Sequence, residues 1–128
     1  MSSLQHWLAI GAGGAIGAMA RYGVGAASLR LLGPNFPFGT LAVNVLGSAV
    51  MGLFIAWLAA REPHSSVVRA FVATGVLGGF TTFSTFALDA VTLYRDRTIW
   101  IAGAYVSASV ALSILGLFAG LAFGRAVQ

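Results

Sequence analysis

The chain has no cysteine among its 128 residues. That excludes disulfide bridges and thiolate-ligated metal centres and leaves the redox compartment open. Lysine is absent too, and acids are scarce: seven arginines face only Glu62, Asp89 and Asp96, and charged residues make up 8% of the chain. A soluble domain carries roughly 25%. With 59% hydrophobic residues and a mean hydropathy of +0.91, this is the composition of an integral membrane protein. No positively charged stretch precedes the first apolar run in MSSLQHWLAIGAGG, so no cleaved signal peptide is expected. A pI of about 10.8 would point to nucleic acid in a soluble protein. Here the arginines stand singly near the ends of apolar segments, which fits anchoring in a lipid bilayer and no nucleic-acid partner.

What is present is a set of four apolar segments, at about 6–32, 38–60, 67–94 and 98–123. Each exceeds the roughly 20 residues that span a bilayer core. The connections 33–37, 61–66 and 95–97 are short, which makes neighbouring helices antiparallel and leaves no room for an extramembrane domain. The expected fold is a single all-α transmembrane domain over residues 1–128, with four transmembrane helices per subunit. Arg30, Arg95 and Arg97 flank one side, and Arg61, Arg69 and Arg125 the other. This balance sets no orientation. Such a chain could insert both ways, and oppositely inserted copies would pair through an isologous interface. Four helices are also few to enclose a pore, which again favours an antiparallel, dual-topology homodimer.

The third segment carries GVLGGFTTFSTF at 75–86. Its three glycines (Gly75, Gly78, Gly79) and the hydroxyl residues Thr81, Thr82, Ser84 and Thr85 weaken a helix. A helix broken at membrane depth is tolerated where its freed backbone groups are buried in protein or line a wet cavity. The expectation is half-helices over 67–74 and 82–94 with a break near 75–82, carrying an ion or polar-solute site. Close packing of small residues against a neighbouring helix is the alternative. Phe83 and Phe86, three apart, share one face of the second half, where Asp89 is the only acid within a span.

Other polar positions recur at helical spacing. Thr40, Asn44 and Gly47/Ser48 lie on one face of the second segment, and Tyr105, Ser109 and Ser113 form a hydroxyl track on the fourth. A buried carboxamide must find partners, so Asn44 faces either protein, as packing glue, or water. A single serine can bond its own helix, but three aligned hydroxyls opposite a Thr/Asn face make a polar path. Arg21 sits well inside the first segment and is either functional or snorkelling to the nearer interface. Gly13 and Gly17 there form a G-x-x-x-G pair that admits a close neighbour. They are not a phosphate loop, since no strand precedes them and no Lys-Ser/Thr follows.

Hydroxyls, a carboxamide, positive ring edges and Arg21 together suit a small anion, and no acidic ring is present for a cation. No nucleophile–base pair, metal-ligand cluster or cofactor motif marks an enzyme. His6 and His64 stand at segment ends.

The runs GGAIGAMARY at 13–22, FGTLAVNVLGS at 38–48 and GVLGGFTTFSTF at 75–86 closely resemble the Fluc, or CrcB, fluoride channels. The resemblance extends over the whole chain in length, segment order and motifs. It implies a dual-topology homodimer with two antiparallel pores that lets cytoplasmic fluoride leave passively through the inner membrane of a prokaryote. It implies that Asn44 contributes to the pore, that Phe83 and Phe86 present ring edges to fluoride, and that Tyr105, Ser109 and Ser113 supply a polar track with Thr40 near it. Arg21 would lie near the vestibule. Backbone carbonyls of Gly78 and Thr81 from both subunits would hold a structural sodium ion at the dimer centre.

Two rivals remain. A small multidrug transporter would also be a short dual-topology dimer, but it needs a membrane-embedded acid, usually a glutamate in the first segment, and this chain has none there. A non-transporting assembly subunit would explain the small residues but not the aligned hydroxyls, Asn44 or the phenylalanine pair.

Overall fold

A computed structural model describes residues 3–61 and 63–128, and every regular element among them is helical. Glu62 lies outside the described residues. Helix α1 covers Ser3–Leu32 and α2 covers Phe38–Ala59. Helix α3, residues 66–80, begins as an α-turn at Ser66–Arg69, widens to a π-helix over Ala70–Leu77 and closes with Gly78–Phe80. Helices α4 (Phe83–Asp96) and α5 (Ile99–Ala126) complete the chain.

The helix ends follow from local chemistry. Gly33, with φ of 79°, takes the left-handed position after α1, and its N–H donates to the Leu29 carbonyl at 3.0 Å. Pro37 (φ −79°, ψ 66°) centres an inverse γ-turn, closed by the Phe38 N–H on the Phe36 carbonyl at 2.8 Å. Ser65, Thr82 and Thr98 each accept a backbone N–H at the start of α3, α4 and α5, at 3.3, 3.2 and 3.1 Å. Caps of this kind stabilise by about 1 kcal/mol each.

Two backbone-to-backbone seams hold the helices together. Along α1 and α3, a Cβ added at Gly17 would collide with the Val76 carbonyl oxygen, and one at Gly13 with that of Phe71. Along α2 and α5, a Cβ at Gly120 would strike the Ala49 carbonyl and one at Gly52 that of Leu117. Glycine lets these helices approach until main chains touch, as the G-x-x-x-G pair anticipated. One end of the bundle is tied by His6 Nε2 to Ser66 Oγ at 3.0 Å and by Gln128 Nε2, which donates to the carbonyls of Ala56 and Gly124. At the opposite end Arg97 Nη1 donates to the Asn35 carbonyl at 2.9 Å.

The interruption in the third segment is narrower than its composition implied. Gly75–Phe80 stay helical, and only Thr81 (φ −87°, ψ 158°) and Thr82 (φ −151°, ψ 120°) are extended. Glycine lowers helix propensity, but here Gly75 and Gly79 pack on Gly13 and Gly14 of α1, and packing outweighs propensity.

Among the described residues, three helices are long and apolar enough to cross a bilayer: Phe38–Ala59, Ser66–Asp96 (counting α3 and α4 together) and Ile99–Ala126. Helix α1, at 30 residues and about 45 Å, has the length, but its glycines, Arg21 and Tyr22 hold down its hydropathy.

Candidate functional site

The two extended residues between α3 and α4 strand backbone groups that a continuous helix would pair, and their partners define the site. Asn44 Nδ2 donates to the Thr82 carbonyl at 3.0 Å, and the Thr82 N–H donates back to Asn44 Oδ1 at 2.8 Å. The carboxamide thus replaces a strand partner. The Thr81 N–H and hydroxyl both donate to the Leu77 carbonyl, each at 3.0 Å. Arg21 Nε donates to the Gly79 carbonyl at 2.9 Å, so α1 caps the end of α3 with a cation, the sign that a helix C-terminus favours. Outside the helices' own ladders, no hydrogen bond reaches the carbonyls of Gly78 and Thr81 among the described residues.

Beside this junction lies a cavity of about 380 Å³. Asn44, Phe83, Phe86, Ser109 and Ser113 all line it, with Thr82 and apolar residues of α5. Residues from three segments, read separately from helical spacing, therefore meet around one space. Ser109 is 4% exposed, and its Oγ makes no well-formed hydrogen bond among the described residues, although the Tyr105 hydroxyl lies beside it. A buried hydroxyl without a well-formed bond costs free energy, and a polar guest in the cavity would relieve it. The Phe83 and Phe86 rings lie 5.5 Å apart at 55°, and Phe83 is 79% exposed although it begins a helix at the centre of the chain's longest span.

Thr40, Arg21 and Tyr105 are placed elsewhere. Arg21, Thr40, Thr82 and Thr85 line a second cavity of about 360 Å³. Thr82 borders both cavities, so the Asn44–Thr82 pair forms part of the wall between them. Thr40 also borders a third cavity, about 330 Å³, under the α1–α2 connection, lined too by Phe36 and Asp89. Tyr105 lines none of the three. It is 0% exposed, donates its hydroxyl to Asp89 Oδ2 at 3.1 Å, and packs its ring against those of Phe86 and Phe36, each at 5.5 Å. Spacing put Thr40 on the Asn44 face and Tyr105 on the Ser109 face, but four residues of helix rise about 6 Å. That carries both one turn towards the loop.

Sequence reasoning did not select Thr82, Asp89 or Phe36 as site residues. The tandem threonine before Phe83 was the available signal for Thr82. Asp89, as the one acid within a span, was the signal for its contact with Tyr105.

The Gly78 and Thr81 carbonyls bear on the sodium ion that the family resemblance implies. Both oxygens are neutral, hard donors, which suit a small cation. One chain supplies only two such oxygens, too few to surround an ion. The donor type fits the ion.

A family model described as "CrcB-like protein, Camphor Resistance (CrcB)" matches residues 8–121. The chain belongs to the CrcB family. A protein of Agrobacterium fabrum named "Fluoride-specific ion channel FluC" is 53% identical over 116 residues, covering 91% of this chain and 93% of the relative. A protein of that name from Rhizobium etli is 52% identical over 121 residues (94% and 96% covered), and one from Cereibacter sphaeroides is 51% identical over 122 residues (95% and 96%). The CrcB match contains every residue placed around the cavities, from Arg21 to Ser113. CrcB membership and three membrane-capable helices make the chain a multi-pass membrane protein.

Proposed function

We propose that this chain is a fluoride-selective channel of a bacterial inner membrane that lets cytoplasmic fluoride leave by passive electrodiffusion. Two copies of four-helix topology, inserted in opposite senses, would form an antiparallel homodimer with two pores. The observation that carries this is the single cavity lined by Asn44, Phe83, Phe86, Ser109 and Ser113, where the buried Ser109 hydroxyl makes no well-formed hydrogen bond among the described residues. Relatives about half identical over nearly their whole length are named fluoride-specific channels.

Fluoride is small and strongly hydrated, so a path must replace its water with donors. The Ser109 and Ser113 hydroxyls supply O–H groups. Phe83 and Phe86 supply ring edges, which carry partial positive charge. The spare N–H of Asn44 Nδ2 is a further donor, since one of its two hydrogens already serves Thr82. Each contact is weak, and several in series allow entry without trapping. Arg21, on the second cavity, gives that side a positive field that draws anions in. The 79% exposure of Phe83 leaves a ring for a second copy to cover. The Gly78 and Thr81 carbonyls of both copies would hold a structural sodium ion at the centre, where it supplies a fixed positive charge joining the subunits.

Planar-bilayer recording tests this reading. Under a fluoride gradient with chloride symmetric, the current should reverse near the fluoride equilibrium potential. A reversal potential insensitive to fluoride, or flux coupled to protons or cations, would replace the channel with a transporter.

A further inference from the structure

The connection between α1 and α2 is fixed more firmly than a surface loop requires. Gly33 takes the left-handed conformation, the γ-turn at Pro37 pins the Phe36 carbonyl, and Arg97 Nη1 holds the Asn35 carbonyl at 2.9 Å from the far side of the α4–α5 corner. What this rigidity holds in place is the ring of Phe36. It meets Tyr105 edge-on at 5.5 Å and 86°, while Phe86 flanks Tyr105 at 5.5 Å and 42°. Tyr105 is fully buried, so its ring has no room to swing. Its hydroxyl donates to Asp89 Oδ2, with the Thr40 and Ser109 hydroxyls beside it.

Tyr105 lines neither cavity but touches residues of both: Phe86 of the one that Ser109 lines, and Asp89 and Phe36 of the one that Thr40 lines. With the ring locked, the only freedom left to the phenol is rotation of its O–H bond. That hydroxyl can then leave Asp89 and turn towards an arriving anion without rearranging the ring, which lowers the reorganisation each passage demands. We propose that Phe36 is a positioning residue of the ion pathway, acting through Tyr105 by clamping its ring between Phe36 and Phe86. The inference rests on the fluoride-channel reading and adds a residue outside the phenylalanine pair and hydroxyl track.

The test is a double-mutant cycle on fluoride efflux from liposomes holding the full-length protein. Phe36→Leu should slow efflux about three- to tenfold, the range that loss of one aromatic pair allows. Tyr105→Phe should slow it at least as much. Phe36→Leu added to Tyr105→Phe should slow it no further, because the group that Phe36 positions is already gone. Phe36→Tyr, which keeps the ring, should retain near-native flux. If Phe36→Leu does not fold, Phe36→Met preserves the volume without the ring and should show the same non-additivity. Multiplicative losses in the double variant, or native flux in Phe36→Leu or Phe36→Met, would overturn the inference and leave the channel reading standing. Absence of fluoride efflux from the unmodified protein would instead remove the channel reading itself.

Discussion

The carboxamide of Asn44 and the peptide groups of Thr82 pair in both directions, at 3.0 and 2.8 Å, across 38 residues of sequence. One side chain on α2 thereby satisfies both peptide groups of Thr82 at the α3–α4 junction. Asn44 is accordingly both a wall of the cavity and the fastening of the break.

Replacing Asn44 separates these roles. Asn44→Ala strands the Thr82 N–H and carbonyl, each at a cost of about 1–3 kcal/mol. Chemical unfolding of the purified protein should register a loss of that order. Asn44→Asp keeps the acceptor for the Thr82 N–H but loses the donor and places a negative charge on the anion path, so fluoride efflux should fall tenfold or more by repulsion. Native efflux in Asn44→Asp would leave Asn44 as fastening alone.

The two rings should matter for passage more than for folding. Phe83→Ile and Phe86→Ile keep apolar bulk and remove the positive ring edge. Each should cut fluoride efflux at least tenfold while the protein elutes at the native size in detergent. Unchanged efflux in both would dismiss ring edges as ligands.

The glycines divide into two groups with opposite expected behaviour. Gly17→Ala and Gly120→Ala place a methyl group against the Val76 and Ala49 carbonyls, so they should sharply reduce the yield of folded protein. Gly11→Ala and Gly103→Ala meet nothing within 4 Å and should be tolerated, gaining up to about 1 kcal/mol from helix propensity. Thermal stability in detergent checks both. Equal loss in the two groups would argue against the main-chain seams.

Removal of sodium tests the carbonyls of Gly78 and Thr81. Exchanging sodium for a large organic cation should weaken subunit association, seen as a lower midpoint for dimer dissociation, and restoring sodium should reverse it. Association indifferent to sodium would assign these carbonyls to water.

Much of the site was legible because helical spacing is local. Phe83 and Phe86 at i, i+3, and Ser109 and Ser113 at i, i+4, share faces, and those faces meet around the cavity. The G-x-x-x-G pair of Gly13 and Gly17 was legible for the same reason. The extent of the break was not, because the composition of residues 75–80 lowers propensity while contact with α1, invisible to propensity, restores the helix. Nor was the placing of Thr40 and Tyr105, since periodicity assigns a face but not a depth. The bonds of Asn44 to Thr82 and of Tyr105 to Asp89 depend on how helices dock, and no periodicity encodes that.

Selective passage of fluoride is tested most directly by anion efflux from liposomes holding the purified protein, read with a fluoride electrode and then a chloride electrode. Fluoride should be lost fast with chloride retained. Loss of both anions would contradict the selectivity assigned to the phenylalanine and hydroxyl lining, and retention of both would contradict the channel itself.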